Sequence, residues 1–341
     1  MTSRAGFYNP DGTYLTEMKG TFNRSWILPT RGIGTLDFSL PLNSDKAKLD
    51  YLEFGKLVYI EHDKLPAWGG VIDPTENWGS YTVSPTAYTA EHMLIDGWRI
   101  GDGRLMTGPS GELFKQIVNL ANSEEDLLIR VGNVEIFDDT RQEVLNWQGL
   151  YDEINRIAKR SLAEWDMQAG IDGNGRLYFT TNWRQRIGNV RDYTLKEGYN
   201  VRMNDTPMTR QGNPVLVNRL IGFGTSATAA TRPAFTFTDE ASRSRYRLRI
   251  STQQFEGNTT LGTLTTNVMN SVALTSAPRR TFSLTVLDKD DAFYNVRLGD
   301  TLKLLMSSLG YIGIDTLIRI IGMAYREKEN ELDITGDEVT N

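Results

Sequence analysis

The sequence predicts a mainly β protein with an α+β insertion: two similar small antiparallel β-barrels plus a peripheral α+β domain, in a multi-domain chain. Three observations lead there. Short runs of β-branched and aromatic residues, set apart by glycine, proline and aspartate, dominate both ends of the chain. The periodicity turns helical mainly in the middle. The 341 residues exceed what one hydrophobic core usually holds.

The first β region, residues 1–95, is a tube-like barrel in this reading. Leu36 to Leu40 alternates with period two and stops at Pro41, and Lys56 to Ile60 follows Gly55. Trp68 to Ile72 comes after a turn at Asp63 to Pro66, then Tyr81 to Val83 and Ala87 to Thr89. Residues 96–185 read as the α+β domain. Ser110 is placed as the N-cap of a helix with Leu113, Ile117, Leu120 and Ala121 on one face. A longer helix is expected from Gln148 to Trp165, then a hairpin turning at Asp172-Gly173-Asn174-Gly175. Residues 186–341 form the second barrel, with a helical insertion near 258–273 capped by Asn258 and carrying Leu261, Leu264, Val268 and Val272 inward. Strands are expected at Val215 to Gly222, Phe235 to Phe237, Arg245 to Ile250, Arg280 to Val286, Thr301 to Leu305, Leu317 to Ile321 and Leu332 to Thr335.

The two β regions echo one another. Phe54-Gly55-Lys56-Leu57-Val58-Tyr59-Ile60 resembles Leu298-Gly299-Asp300-Thr301-Leu302-Lys303-Leu304. Each leads to a glycine-bearing Ile/Val strand, 69–72 in one and 320–322 in the other. Each then ends in a polar hairpin, 76–79 and 326–330. Such an echo points to two copies of one small module.

Composition removes most chemistry. Apolar residues are 39% and charged residues 23% of the chain, so it can build a sizeable core. No cysteine is present, which excludes disulfides and thiol nucleophiles. No run approaches the roughly 20 apolar residues that span a bilayer, and the first residues lack the apolar core of a secretory signal. A net charge of −6 argues against tight phosphate binding.

No phosphate-binding loop, nucleophile elbow or paired-histidine metal motif occurs. No catalytic residue, cofactor or metal ligand is therefore expected. The two histidines, His62 in a turn and His92 beside Glu91, read as a solvated imidazole and a structural group. Asp172 to Arg176 starts like a calcium loop but has an arginine where an oxygen ligand is needed. Asp288, Asp290 and Asp291 read as a solvated loop. Glu76, Asp138 and Asp139, near Trp78 and Phe137, are the carboxylates a glycan hydrolase could use, with no spacing that singles out a pair. Arg243, Arg245, Arg247 and Arg249 are read as one face of a β-strand, either solvated or a subunit interface.

The order of these elements resembles the hub proteins of phage tails: the baseplate hubs of contractile phages and the tail-tip hub, or tail-associated, proteins of siphophages. The resemblance lies in Leu52 to Ile60 leading to Trp68 to Ile72 and Tyr81 to Val83; in Val217 to Gly224, then Ser242 to Arg249 and the helix at Leu261 to Val272; and in Pro278 to Val286, Val296 to Leu302, Ile318 to Ala324 and Glu331 to Thr335. It implies a non-enzymatic homotrimer whose doubled barrels form a pseudo-sixfold ring continuing the tail tube. It also implies contacts with the tail tube or distal tail ring, with tip or fibre proteins and with the tape-measure protein. Viral DNA would pass through the ring without specific binding, and the hub would gate its exit. The expected place is the virion tail, after assembly in the bacterial cytoplasm. The alternatives are a receptor- or carbohydrate-binding tail protein, stacking sugars on Trp68, Trp78 or Trp98, and a glycan hydrolase.

Overall fold

The computed structural model describes residues 3–95, 99–100, 103–137, 139–145, 148–211, 216–225, 232–255, 261–277, 279–307 and 313–339. The chain divides into two compact units. One comprises residues 1–205 and 283–336, the other 206–282 and 337–341.

The larger unit begins with β1 (Ser3–Tyr8), β2 (Tyr14–Glu17), β3 (Phe22–Pro29), β4 (Thr35–Pro41), the short helix α1 (Leu49–Leu52), β5 (Leu57–His62), β6 (Trp68–Trp78) and β7 (Thr82–Thr89). Inward residues alternate with outward ones, as on β4, where Leu36, Phe38 and Leu40 are buried. Pro85 lies inside β7, so the two runs expected at 81–83 and 87–89 form one strand.

The middle segment of the chain, within the larger unit, carries β8 (Arg99–Ile100), β9 (Arg104–Pro109), α2 (Ser110–Glu124), β10 (Ile129–Val134), β11 (Thr140–Leu145), β12 (Gln148–Gly149), α3 (Leu150–Ser161), β13 (Glu164–Ile171) and β14 (Leu177–Arg184). Leu113, Phe114 and Ile117 of α2 and Ile154 and Ile157 of α3 share one core with Trp165, Phe179 and Trp183 of the β10-β14-β13 sheet. Two expectations are corrected here. Ser110 is the first helical residue rather than the cap; its N–H and hydroxyl both donate to Asp139, at 3.1 and 3.0 Å. The long helix stops at Ser161, because Leu162 turns left-handed (φ 51°), and Trp165 is delivered by β13 instead.

The rest of the chain supplies β15 (Val190–Lys196), β16 (Val201–Gln211), β17 (Arg219–Phe223), β18 (Ala234–Thr238), α4 (Glu240–Tyr246), β19 (Ile250–Gln254), α5 (Leu261–Thr275), β20 (Arg279–Val286), α6 (Ala292–Asn295), β21 (Thr301–Met306), β22 (Ile314–Arg326) and β23 (Glu331–Glu338). The smaller unit holds the sheet β18-β17-β19, against which α5 packs Leu264, Val268 and Val272. Gly222 lets Val268 close in: a β-carbon there would lie 2.1 Å from its methyl. Leu261, expected inward, is 56% exposed at the first turn. Asn258 and Val215 lie outside the described residues.

The echo in the sequence is a duplication of topology. The first β set is hydrogen-bonded in the order β1-β5-β6-β7-β4-β3, and the second in the order β15-β21-β22-β23-β20-β16. Numbered along the chain, these are the same permutation of six strands. A short helix, α1 or α6, sits between the third and fourth strands of each set. The fourth strand of each follows a left-handed glycine, Gly55 (φ 85°) or Gly299 (φ 81°). The Gly55 N–H donates to Ile72 and the Gly299 N–H to Ile320; Ile72 and Ile320 in turn donate to Lys56 and Asp300. The copies differ at one edge, where β1 meets β5 antiparallel and β15 meets β21 in parallel. They also differ in additions: β2 extends the first copy, and β17 to α5 lie between β16 and β20 of the second. Both sets belong to one thirteen-stranded sheet, joined where β22 pairs with β3, from Gly322 opposite Pro29 to Arg326 opposite Ser25.

Candidate functional site

The join between the two β-modules is built from charged and aromatic side chains of both. Arg24 on β3 grips Glu327, its Nη2 2.6 Å from Oε1, and the Ser3 hydroxyl donates to the same carboxylate. Trp26 of β3 packs on Tyr325 of β22, ring centres 4.7 Å apart, with His62 and Phe293 against the same tyrosine. Burial, with Glu327 and Asp288 nearby, pushes the Tyr325 hydroxyl up to about 12, and it donates to Asn330. Lys64 reaches from the first module to Asp288 and Asp291 of the second, at 2.8 Å each. Those two hydrogen bonds raise its proton affinity.

Several sequence expectations are resolved at this join. The aspartates of 288–291 are held by protein groups, Lys64 for two of them and the Tyr199 hydroxyl for Asp290. No cluster suited to a metal ion occurs among the described residues. His62 is buried at 6% exposure rather than solvated. Its Nδ1 accepts the N–H groups of Lys64 and Leu65, at 3.1 Å each, and Nε2 is buried without a hydrogen-bond partner among the described residues. Burial lowers its proton affinity. A depressed folded pKa means the stability tied to neutral His62 is complete above about pH 6.5, the unfolded value, and is lost as pH falls below it. The melting temperature is therefore expected to fall between pH 7.5 and 5.5, and to fall less in His62→Asn, which keeps an acceptor but does not titrate. Equal pH dependence of the two proteins would remove His62 from this account.

The middle segment is joined to the second module by a bidentate ion pair. Arg319 of β22 donates to both oxygens of Glu164 at the start of β13, at 2.7 Å to Oε1, and also to the carbonyls of Ile187 and Gly299. The Ile187 N–H completes the carboxylate at 2.8 Å. Burial alone would raise the Glu164 carboxyl, but Arg319, the Ile187 N–H and Arg31 outweigh it and hold it below the usual range. Beside this pair a cleft of about 760 Å³ runs along α3, β13 and the two modules. Its carboxylates are engaged: Asp300 takes Arg191, Asp166 takes Asn182 and Gln168, and Glu91 takes the Thr89 hydroxyl and the Met167 N–H. Burial raises the Glu91 carboxyl.

The arginine stretch does not form a strand. Asp239 caps α4 by accepting the Ser242 N–H at 2.9 Å, which places Arg243 and Arg245 on a helix. Arg247 ends that helix with φ 62°, and Arg249 precedes β19. Asn218, fully buried and unremarked in the sequence, anchors this turn by donating to the Arg247 carbonyl and accepting the Arg249 N–H. All four arginine side chains are exposed; Arg243 pairs with Glu240 and Arg245 lies over Tyr246.

The residues considered for sugar chemistry are dispersed. Trp68, the first residue of β6, is wholly buried and cannot stack on a glycan. Trp98 and Asp138 lie outside the described residues, as do the side chains of Glu76 and Trp78. Asp139 fixes the start of α2. His92 stacks on Tyr88 and meets Asp73 at 2.8 Å. Asp172 accepts the N–H groups of Asn174 and Arg176, which is a tight turn and not an ion cradle. No helix among the described residues is long and apolar enough to cross a membrane.

No family model and no curated protein sequence matches the chain. Solved structures do. The prophage tail protein gp18 from Listeria monocytogenes EGD-e superposes with a TM-score of 0.63 at 11% identity, over 98% of this chain and 94% of that one. The 43 kDa tail protein of prophage MuSo2 from Shewanella oneidensis gives 0.63 at 11% identity, over 98% and 97%. The tail protein from Neisseria meningitidis MC58 gives 0.60 at 10% identity, over 99% and 97%. Across nearly its whole length, this chain has the mainly β, multi-domain fold of phage tail proteins.

Proposed function

We propose that the protein is a structural subunit of a phage tail, a hub whose copies close into a ring at the distal end of the tail tube. The observation that carries this reading is the duplicated six-strand permutation. A chain with two equivalent modules presents two similar faces, so three copies present six and can continue a sixfold tube. The intrachain join at β3 and β22 then serves as one of the six module junctions. The ring would bear on the tail tube or distal tail ring on one side and on tip or fibre proteins on the other, with the tape-measure protein and then DNA in its channel. A chain of net charge −6 suits a channel through which phosphate must slide. The exposed Arg243, Arg245, Arg247 and Arg249 would give the smaller unit a contact surface for an acidic neighbour. Light scattering after size exclusion is expected to give three times the 38.5 kDa chain mass, and negative-stain images a ring with a central hole. A monomer at micromolar concentration would sink the reading.

A further inference from the structure

The cleft of about 760 Å³ beside the Glu164–Arg319 pair is lined wholly by residues of the larger unit, and its size suits a small ligand or a short peptide. Five cations line it, Arg31, Lys159, Arg184, Arg191 and Arg297, although the chain as a whole carries a net charge of −6. The four carboxylates of the lining leave much of that charge unanswered. Glu164 is neutralised by Arg319, which stands outside the lining. Asp300 takes Arg191 and the Asn189 N–H, and burial pushes the Glu91 carboxyl toward its neutral form. Asp166 is bonded to the amides of Asn182 and Gln168. Arg184, the last residue of β14, is the cation with least to hold it. It is half-buried, and its Nε–H is shut off from water with no acceptor among the described residues. Glu164 stands opposite it in the β13–β14 register, yet gives its oxygens to Arg319 and the Ile187 N–H. A buried, charged donor without an acceptor is costly, and an anion in the cleft removes that cost. Arg297 donates to the Phe293 and Val296 carbonyls, and burial, then the neighbouring Arg191, lowers its proton affinity.

We infer that this cleft binds a short apolar peptide segment bearing one carboxylate, and that Arg184 receives the carboxylate. A small rotation of the guanidinium pairs Nε and one Nη with the two oxygens, the fork geometry that arginine offers a carboxylate. The rest of the lining suits a peptide, with apolar Leu65, Pro66 and Ala169 for its side chains and the amides of Asn155, Gln168 and Asn189 for its backbone. A phosphate dianion fits less well, because Asp166 and Asp300 stand on the same walls. The site is complete within one chain and does not depend on the ring.

Fluorescence polarisation with the full chain and three pools of labelled, apolar pentapeptides tests this. The first pool carries one aspartate and an amidated end, the second an asparagine in its place, and the third only a free C-terminal carboxylate. The expected result is that the first or the third pool binds at least ten times more tightly than the second, which also tells a side-chain carboxylate from a terminal one. Arg184→Met should weaken that binding roughly 10–100-fold, the loss of a charged hydrogen bond. Lys115→Met, an exposed charge on α2 outside the lining, should leave it unchanged. Melting separates this role from a structural one: Arg184→Met should melt no lower than wild type, because no partner is stranded. A melting temperature lower by several degrees would make Arg184 a structural cation and overturn the inference. Binding that survives Arg184→Met, or no binding by any pool, would overturn it as well. If acetate or inorganic phosphate raises the melting temperature through Arg184 and the peptides add nothing, the cleft takes a small anion and the peptide is wrong.

Discussion

Replacing Arg319 by methionine is expected to cost the fold about 3–5 kcal/mol, the loss typical when one partner of a buried ion pair is removed and the other stays charged. Glu164 is 8% exposed, and Arg319 supplies two of its hydrogen bonds as well as contacts to the Ile187 and Gly299 carbonyls. Chemical denaturation followed by tryptophan fluorescence measures the loss. The double variant Arg319→Met with Glu164→Gln should recover part of it, because the stranded charge is gone. The pH dependence provides a second readout. The Glu164 carboxyl is held below its ordinary range in the fold, so its contribution is present above the unfolded glutamate value and is lost as pH falls through the folded one. Wild type should weaken below about pH 4.5, and Arg319→Met should lose that acid limb. A loss under about 1 kcal/mol for the single variant would mean that water reaches the pair and that it adds little to the fold.

What could be read in the sequence follows from how locally each feature is encoded. The period-two run at Leu36 to Leu40 and the β-rich runs at Lys56 to Ile60 and Thr301 to Leu305 carry their own strand signal and fold as β4, β5 and β21. The echo between 54–60 and 298–304 was visible because the turn before each fourth strand needs a left-handed residue, and glycine fills it in both copies. The arginine stretch misled for the opposite reason. Alternating Arg with Tyr, Leu and Ile from 243 to 250 satisfies a strand pattern, yet the Asp239 cap and the buried Asn218 override it. A cap three residues upstream of Ser242 is a signal the sequence does contain. The role of Asn218 depends on contacts 29 and 31 residues away and is not local at all. The same holds for the strands that join the modules. Nothing near Ser25 to Pro29 announces that its partner lies at 322–326, and His62, placed in an exposed-looking turn, is buried because the distant Tyr325 covers it.

Gly299→Ala and Gly55→Ala separate the conformational role common to the two copies from what the second copy adds. Both glycines are left-handed, at φ 81° and 85°, so an alanine β-carbon costs roughly 1–2 kcal/mol at either site. At Gly55 the new atom would meet nothing nearer than Pro10, at 3.9 Å. At Gly299 it would lie 2.4 Å from the Ile187 carbonyl oxygen and 2.7 Å from its carbon, and backbone cannot swing aside as a side-chain tip can. Overpacking of that kind adds about 1–3 kcal/mol, so Gly299→Ala is expected to lose about 3 kcal/mol or more. Displacing Ile187 also disturbs the N–H that completes Glu164 and the carbonyl that takes Arg319. The two effects should therefore couple: Gly299→Ala ought to cost distinctly less in the Arg319→Met background than in wild type. Equal losses for Gly55→Ala and Gly299→Ala would show that only the turn matters. A larger, coupled loss at Gly299 would show that the second copy has taken on an additional task, positioning Ile187 and Arg319 around Glu164.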